Sequence, residues 1–124
     1  MSFTILIVDD SEFARKVLKK SLHSFFTGKD YALSEAGNGE EALGKIKESV
    51  PHFMFLDLTM PVMDGYELLE ELKTLDLNIP TVVISADIQE EAEKKVKELG
   101  VLGFLNKPLN QDRIADLLKE VNII

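Results

Sequence analysis

Short apolar runs alternate along the chain with longer segments in which apolar residues recur every three or four positions. A short continuous apolar run favours a buried strand, and the wider spacing favours an amphipathic helix. The runs predict strands at 3–8, 31–36, 53–56, 81–85 and 101–105. The spaced segments predict helices at 11–26, 39–48, 65–74, 88–99 and 111–121. The chain therefore contains five predicted strand–helix units.

The predicted strands are mostly continuous in their apolar character, which is typical of a parallel sheet covered on both faces. Right-handed crossovers between parallel strands place helices on both sides of such a sheet. The pattern thus predicts an α/β fold of three layers with a doubly wound parallel sheet. Because the 124 residues contain no linker or low-complexity segment, we expect one domain over 1–124 with no attached output domain.

The composition excludes several classes of function. Lys and Arg total 14 against 22 Asp and Glu, a net charge of −8, which disfavours nucleic acid as a partner. The absence of Cys excludes disulfides, thiol nucleophiles and thiolate metal sites. No apolar run approaches the ~18 residues of a membrane span, and the first residues do not resemble a signal peptide. We therefore expect a cytoplasmic protein that binds neither nucleic acid nor membranes.

Polar residues follow the predicted strands at the places where ligands bind in parallel sheets, namely the carboxyl ends of the strands. In chain order these residues are Asp9 and Asp10, Asp57 and Thr59, Ser85 and Asp87, and Asn106 and Lys107. Carboxylates, a hydroxyl and an ammonium are therefore expected to meet at one edge of the sheet.

The expected cluster of Asp9, Asp10 and Asp57 has a chemical consequence, because crowded carboxylates repel one another. A divalent cation and Lys107 would relieve that repulsion. Oxygen ligands without Cys or His favour Mg²⁺, which usually works with phosphate oxygens. A carboxylate beside Mg²⁺ and a lysine can attack a phosphoryl group, and Ser85 could donate a hydrogen bond to one of its oxygens.

Each of these residues also has a purely structural interpretation. Residues 9–11 could cap the first helix, and Ser85 or Asp87 could cap the fourth, since Asp and Ser are preferred at such positions. Lys107 could be a turn residue, and Phe104 could belong to the core. Asp57 is harder to explain in this way, because an unpaired carboxylate at the end of a central strand is costly. The placement of one polar group at each strand end favours the functional interpretation.

Four motifs connect the chain to a known family. They are ILIVDDS at 5–11, FLDLTMPVMDG at 55–65, VVISA at 82–86 and GFLNKPL at 103–109. As a set they resemble the receiver domains of two-component response regulators, and stand-alone CheY-type receivers in particular. The resemblance covers the whole chain and implies a flavodoxin-like sheet with strand order 2-1-3-4-5.

The resemblance also implies roles for the residues at the strand ends. Asp57 would accept a phosphoryl group from the phosphohistidine of a sensor histidine kinase. Mg²⁺ would be the cofactor, bound directly by Asp10, through a water by Asp9, and also by Asp57 and the backbone carbonyl of Thr59. Lys107 would pair with a phosphoryl oxygen.

Further implied roles concern the switch and the loops. Ser85 and Phe104 match the hydroxyl and aromatic switch positions of the family, with Phe104 replacing the Tyr that is often found there. The Lys107–Pro108 peptide bond is expected to be cis. Thr59 and Asp87 match positions that tune dephosphorylation.

The implied function is a phosphorylation-activated signalling switch rather than a turnover enzyme, expected in chemotaxis with a flagellar switch-type output partner. The implied output surface comprises residues of 88–99, 101–105 and 111–121. Two alternatives remain open: a phosphorelay intermediate that serves a histidine phosphotransfer protein, and a scaffold receiver that is never phosphorylated. A dedicated phosphatase is among the partners that the resemblance allows, and the protein is expected to be a monomer.

Two classes of protein with related architecture fit the residues less well. A flavodoxin-like electron carrier needs backbone amides that cradle a phosphate after the first strand, whereas this chain has two aspartates there. A hydrolase of the haloacid-dehalogenase kind needs a second Asp two residues after the nucleophile, and that position is Thr59.

Overall fold

The structure is a computed structural model that describes residues 2–86 and 89–123. Within these residues, strands and helices alternate along the chain. The strands are β1 (Phe3–Val8), β2 (Tyr31–Ala36), β3 (Phe53–Asp57), β4 (Thr81–Ser85) and β5 (Gly103–Asn106). The helices are α1 (Glu12–Phe25), α2 (Gly39–Glu48), α3 (Gly65–Thr74), α4 (Glu90–Glu98) and α5 (Gln111–Glu120).

The five strands form one parallel sheet in the order β2-β1-β3-β4-β5, so the predicted fold class and strand order are confirmed. The register brings the carboxyl ends of the central strands level with one another. Val8 pairs with Leu56, and Asp57 pairs with Ile84. Polar residues at these strand ends are therefore held at one edge of the sheet.

Two apolar cores, one on each face of the sheet, fix the strands. Successive side chains of a strand point to opposite faces, and on β3 Phe53 and Phe55 pack on the side of α1 and α5. Met54 and Leu56 pack on the side of α2, α3 and α4. All four side chains are fully buried, and burial of each contributes about 1.5–3 kcal/mol. The central strand that carries Asp57 is therefore anchored on both faces of the sheet.

Helix capping explains part of the polar sequence after the strands. The Ser11 side chain accepts a hydrogen bond from the Ala14 N–H and is the N-cap of α1, so capping accounts for Ser11 but not for the two aspartates before it. The N-cap of α4 is Gln89, and within the described residues it makes no side-chain capping bond. Ser85, at the end of β4, is therefore not the N-cap of α4.

Two element boundaries differ from the prediction by two residues, and the other differences are of one residue. Helix α4 begins at Glu90 rather than at 88, a position outside the described residues. Strand β5 begins at Gly103 rather than at 101. The Val101 N–H instead bonds to the Val96 carbonyl across Gly100, which has φ +87. This is a helix-ending motif that favours glycine. The backbone N–H of Val101 is thus bonded to α4, which explains why β5 begins after this residue.

Among the described residues, no helix combines the length and the apolar character that crossing a membrane requires.

Candidate functional site

Three carboxylates converge where β1 and β3 end. Asp9 and Asp10 follow β1, Asp57 is the last residue of β3, and one oxygen from each lies within 4.8 Å of the others. Asp9 and Asp57 are 2% and 4% exposed, whereas Asp10 is exposed. The convergence follows from the parallel pairing of β1 with β3, which places the residues after Val8 beside the end of β3.

Lys107 reaches this acidic cluster from beyond the end of β5. Its Nζ lies 2.9 Å from Asp9 Oδ2 and 3.5 Å from Asp57 Oδ2. Its backbone N–H donates to the Ser85 carbonyl, which ties the loop after β5 to the end of β4. The Lys107–Pro108 peptide bond is cis. The lysine thus supplies one positive charge to two buried carboxylates.

The environment of Asp57 makes its ionised form less favourable than it is in water. Burial, reinforced by the negative charge of Asp9, raises the pKa of Asp57 from 3.8 to about 6. The charge of Lys107 and a hydrogen bond from the Thr59 N–H oppose this rise in pKa without cancelling it. A second cation would therefore be strongly favoured beside Asp57, because it would stabilise the ionised carboxylate.

The carboxylates of the cluster stabilise the charged form of Lys107. Burial by itself lowers the pKa of Lys107, but its hydrogen bond to Asp9 and the negative charges of Asp57 and Asp9 outweigh that effect. The pKa of Lys107 is therefore raised, and the side chain is a permanent cation at physiological pH.

The predicted hydroxyl and aromatic positions occupy neighbouring strands. Ser85 ends β4 and is 4% exposed, one residue beyond the register partner of Asp57. Phe104 lies on β5, where it pairs with Val83 of β4. Its half-buried ring packs against the core on the side of α4. The Lys97 Nζ lies 5.9 Å from the centre of its ring. Ser85 therefore lies at the edge with the carboxylates, while Phe104 lies two residues back along the neighbouring strand.

Two further predicted residues lie in loops. Thr59 is exposed two residues after Asp57, and its N–H lies 3.4 Å from Asp57 Oδ1. Asp87 lies outside the described residues, so its predicted role after β4 stays a prediction.

The structure adds a contact to the site that the sequence interpretation did not include. Arg15, on the first turn of α1, donates from Nη1 to the backbone carbonyl of Asp9 at 2.6 Å. Its Nε donates to Glu35 on β2 at 3.0 Å, and Lys19 donates to the same carboxylate at 2.9 Å. The spacing of Arg15 and Lys19, four residues apart on a helix, was the available signal. Their shared partner on β2 was not visible without the fold.

The acidic cluster has the ligand chemistry that Mg²⁺ prefers. Its donors are all oxygens, two of them on buried carboxylates, and hard oxygen ligands select Mg²⁺ over softer metals. Three negative charges against one lysine leave a net charge of −2, which a divalent cation would neutralise. The residues present therefore fit the metal.

Comparison with known proteins gives the class of this chain. Residues 5–119 match the response regulator receiver domain, and the chain belongs to that family. The interpretations of this chain as an electron carrier and as a hydrolase of the haloacid-dehalogenase kind are thereby set aside.

Individual members of the family are similar to this chain over nearly its whole length. The chain is 35% identical over 121 residues to chemotaxis protein CheY of Halobacterium salinarum, with 98% of each chain covered. It is 34% identical over 120 residues to sporulation initiation phosphotransferase F of Bacillus subtilis, covering 97% of this chain and 94% of the relative. A solved complex of CheX with CheY, BeF3 and Mg²⁺ from Borrelia burgdorferi contains a similar chain, with a TM-score of 0.86 and 32% identity. That alignment covers 98% of this chain and 90% of the other. By name, these relatives are a chemotaxis protein, a phosphotransferase of sporulation initiation and a CheY bound to CheX.

Proposed function

We propose that this protein is a Mg²⁺-dependent phosphorylation switch in which Asp57 is the phosphoacceptor. The observation that carries the proposal is the position of the Asp57 carboxylate. It is buried at the end of the central strand, within 4.8 Å of oxygens of Asp9 and Asp10 and 3.5 Å from the Lys107 ammonium. A nucleophile, a set of metal ligands and a fixed cation thus surround one small volume at the sheet edge.

The proposed reaction is a phosphoryl transfer from a histidine kinase. An Asp57 carboxylate oxygen attacks phosphorus and forms a P–O bond, while the P–N bond of the phosphohistidine breaks and its electron pair returns to the imidazole. Mg²⁺, held by Asp9, Asp10, Asp57 and the Thr59 carbonyl, would supply positive charge to the phosphoryl oxygens. Lys107 neutralises a further oxygen. The protein assists its own phosphorylation and the later hydrolysis of the phosphorylated Asp57. It is therefore a substrate that cycles between two states rather than a turnover enzyme.

Ser85 and Phe104 are the proposed readout of the phosphorylated state. A phosphoryl group on Asp57 would place acceptor oxygens next to the hydroxyl of Ser85 at the end of β4. Movement of that hydroxyl toward them would vacate space beside β5, which the half-buried ring of Phe104 is positioned to fill. A local change of charge would in this way alter the face formed by α4, β5 and α5.

A groove beside the site supports a protein as phosphoryl donor. It has a volume of about 440 Å³, lies between α1 and the loop after β5, and is lined by apolar side chains together with Ser11 and Lys107. Phe13 at its rim is 76% exposed. We assign this groove to the sensor histidine kinase. Phe13→Ser should slow transfer from the kinase while leaving uptake from acetyl phosphate unchanged, and equal slowing of both would contradict the assignment.

The proposed cellular role is chemotaxis, in the cytoplasm, with a flagellar switch-type output partner. The similarity to chemotaxis CheY proteins supports it. A phosphorelay intermediate is the second candidate, supported by the similarity to sporulation initiation phosphotransferase F. Phosphorylated protein labelled with ³²P separates the two: transfer to a histidine phosphotransfer protein supports the relay, and phosphorylation-dependent binding of a flagellar switch peptide supports chemotaxis.

Intact mass after incubation with acetyl phosphate and Mg²⁺ tests the central proposal. We expect a gain of one phosphoryl group that is lost in Asp57→Asn and in the presence of EDTA. Asp116→Asn, the same change at an exposed carboxylate on α5, should leave the gain intact. Absence of uptake from both acetyl phosphate and a kinase, in a folded protein that binds Mg²⁺, would overturn the proposal and favour a scaffold.

A further inference from the structure

We propose that Arg15 is a positioning residue that sets the Mg²⁺ affinity of the acidic cluster through the backbone of Asp9. The inference rests on the proposed function, since it concerns the metal that the phosphorylation site would use. It assigns to one half-buried side chain of α1 a role that its charge alone would not suggest.

The Arg15 guanidinium links three elements of the fold. From α1 it donates one hydrogen bond to the Asp9 carbonyl after β1, at 2.6 Å, and another to the Glu35 carboxylate on β2, at 3.0 Å. Only 18% of the side chain is exposed. Arginine suits this task because its planar group holds two acceptors in a fixed relative orientation. Lys19 on the next turn holds the second oxygen of Glu35, so the anchor of Arg15 is itself fixed.

The Arg15 bond completes a set of contacts that immobilise Asp9. The Asp9 N–H donates to the Ala36 carbonyl. The Asp9 carboxylate accepts a hydrogen bond from the Ser11 N–H and pairs with Lys107. The remaining polar group, the carbonyl, is the one that Arg15 binds. Because the peptide unit is planar, fixing this carbonyl also fixes the plane from which the Asp10 backbone continues. Arg15 therefore orients both aspartates that follow β1.

The two physical effects of Arg15 on Mg²⁺ binding have opposite signs. As a positive charge near the cluster, Arg15 opposes the binding of a cation, so its removal would tighten binding. As the group that orients the ligands, Arg15 favours binding, so its removal would weaken it. Loss of a residue that orients metal ligands typically reduces metal affinity by about 10–100-fold. The direction of the change thus separates the two roles.

Titration calorimetry with MgCl₂ on the unphosphorylated protein is the direct test. We expect Arg15→Met to weaken Mg²⁺ binding by about tenfold or more. The matched control is Lys16→Met, which removes the same charge from the same helix at a side chain that is 69% exposed and pairs with Glu12 rather than with Glu35, and its affinity should stay within about twofold of wild type. Arg15→Gln gives a second variant should Arg15→Met fold poorly, and the same weakening is expected.

A kinetic readout separates positioning from a general loss of structure. In uptake from acetyl phosphate, the Mg²⁺ concentration for half-maximal rate should rise about tenfold in Arg15→Met, while the rate at saturating Mg²⁺ stays within about twofold. A variant that is merely destabilised would lose the saturated rate instead. Affinity in Arg15→Met and Arg15→Gln equal to wild type, or tighter, would overturn the inference. If wild-type protein binds no Mg²⁺ at all, the proposed function itself fails, so the two failures are distinguishable.

Discussion

Asp57 ends the central strand with 4% of its surface exposed, and burial together with the charge of Asp9 raises its pKa from 3.8 to about 6. This rise has a consequence for stability. A group whose pKa is higher in the folded protein than in the unfolded chain binds its proton more tightly when folded. Its contribution to stability is therefore complete below about pH 4 and is lost as the pH rises through about 6.

The magnitude follows from the shift in pKa. A rise of about two units at 1.36 kcal/mol per unit corresponds to about 3 kcal/mol. Asn at position 57 cannot ionise, so it avoids this loss. We therefore expect Asp57→Asn to be about 3 kcal/mol more stable than wild type at pH 8 and nearly equal to it at pH 4.

Urea unfolding followed by circular dichroism in the presence of EDTA, at several pH values between 4 and 8, measures the difference. Asp116→Asn is the matched control, because it makes the same chemical change at an exposed carboxylate. Added Mg²⁺ should reduce the difference in unfolding free energy between Asp57→Asn and wild type at pH 8, since a ligand that binds the folded wild type stabilises it. A difference between Asp57→Asn and wild type that does not change with pH would refute the reasoning.

Three further predictions test other parts of the site. Uptake from acetyl phosphate should fall below about pH 6, where Asp57 becomes protonated, and the midpoint should move to lower pH as Mg²⁺ is raised; a pH-independent rate would contradict this. Asp10→Ala should weaken Mg²⁺ binding in calorimetry while stabilising the metal-free protein, because it removes a like charge; a less stable metal-free variant would contradict the repulsion. Gly65→Ala should cost about 1–3 kcal/mol in urea unfolding, since a Cβ there would lie 2.5 Å from the Asp57 carbonyl oxygen, and Gly44→Ala, with open space around it, is its control.

The apolar pattern determined most of the fold. The bounds of β1, β2, α2, α3 and β4 agree with those predicted. The apolar runs of β1 and β4 and the helical spacing of α2 and α3 each leave one consistent assignment. The meeting of polar groups from the ends of β1, β3, β4 and β5 also followed from the sequence, since parallel strands must bring their carboxyl ends to one edge. The family motifs supplied the strand order and the roles proposed for Asp57, Lys107 and their neighbours.

The tertiary structure decided what depends on contacts between distant segments. The distance of Lys107 from Asp9 and Asp57, and the pKa values that follow, come from the register of strands that lie about 50 and 100 residues apart in the chain. The later start of β5 depends on how α4 ends at Gly100. The link from Arg15 to Asp9 and Glu35 joins a helix to two strands. The hydrophobic pattern records which face of each element is buried, whereas a hydrogen bond between elements depends on their packing in three dimensions, which no local pattern encodes.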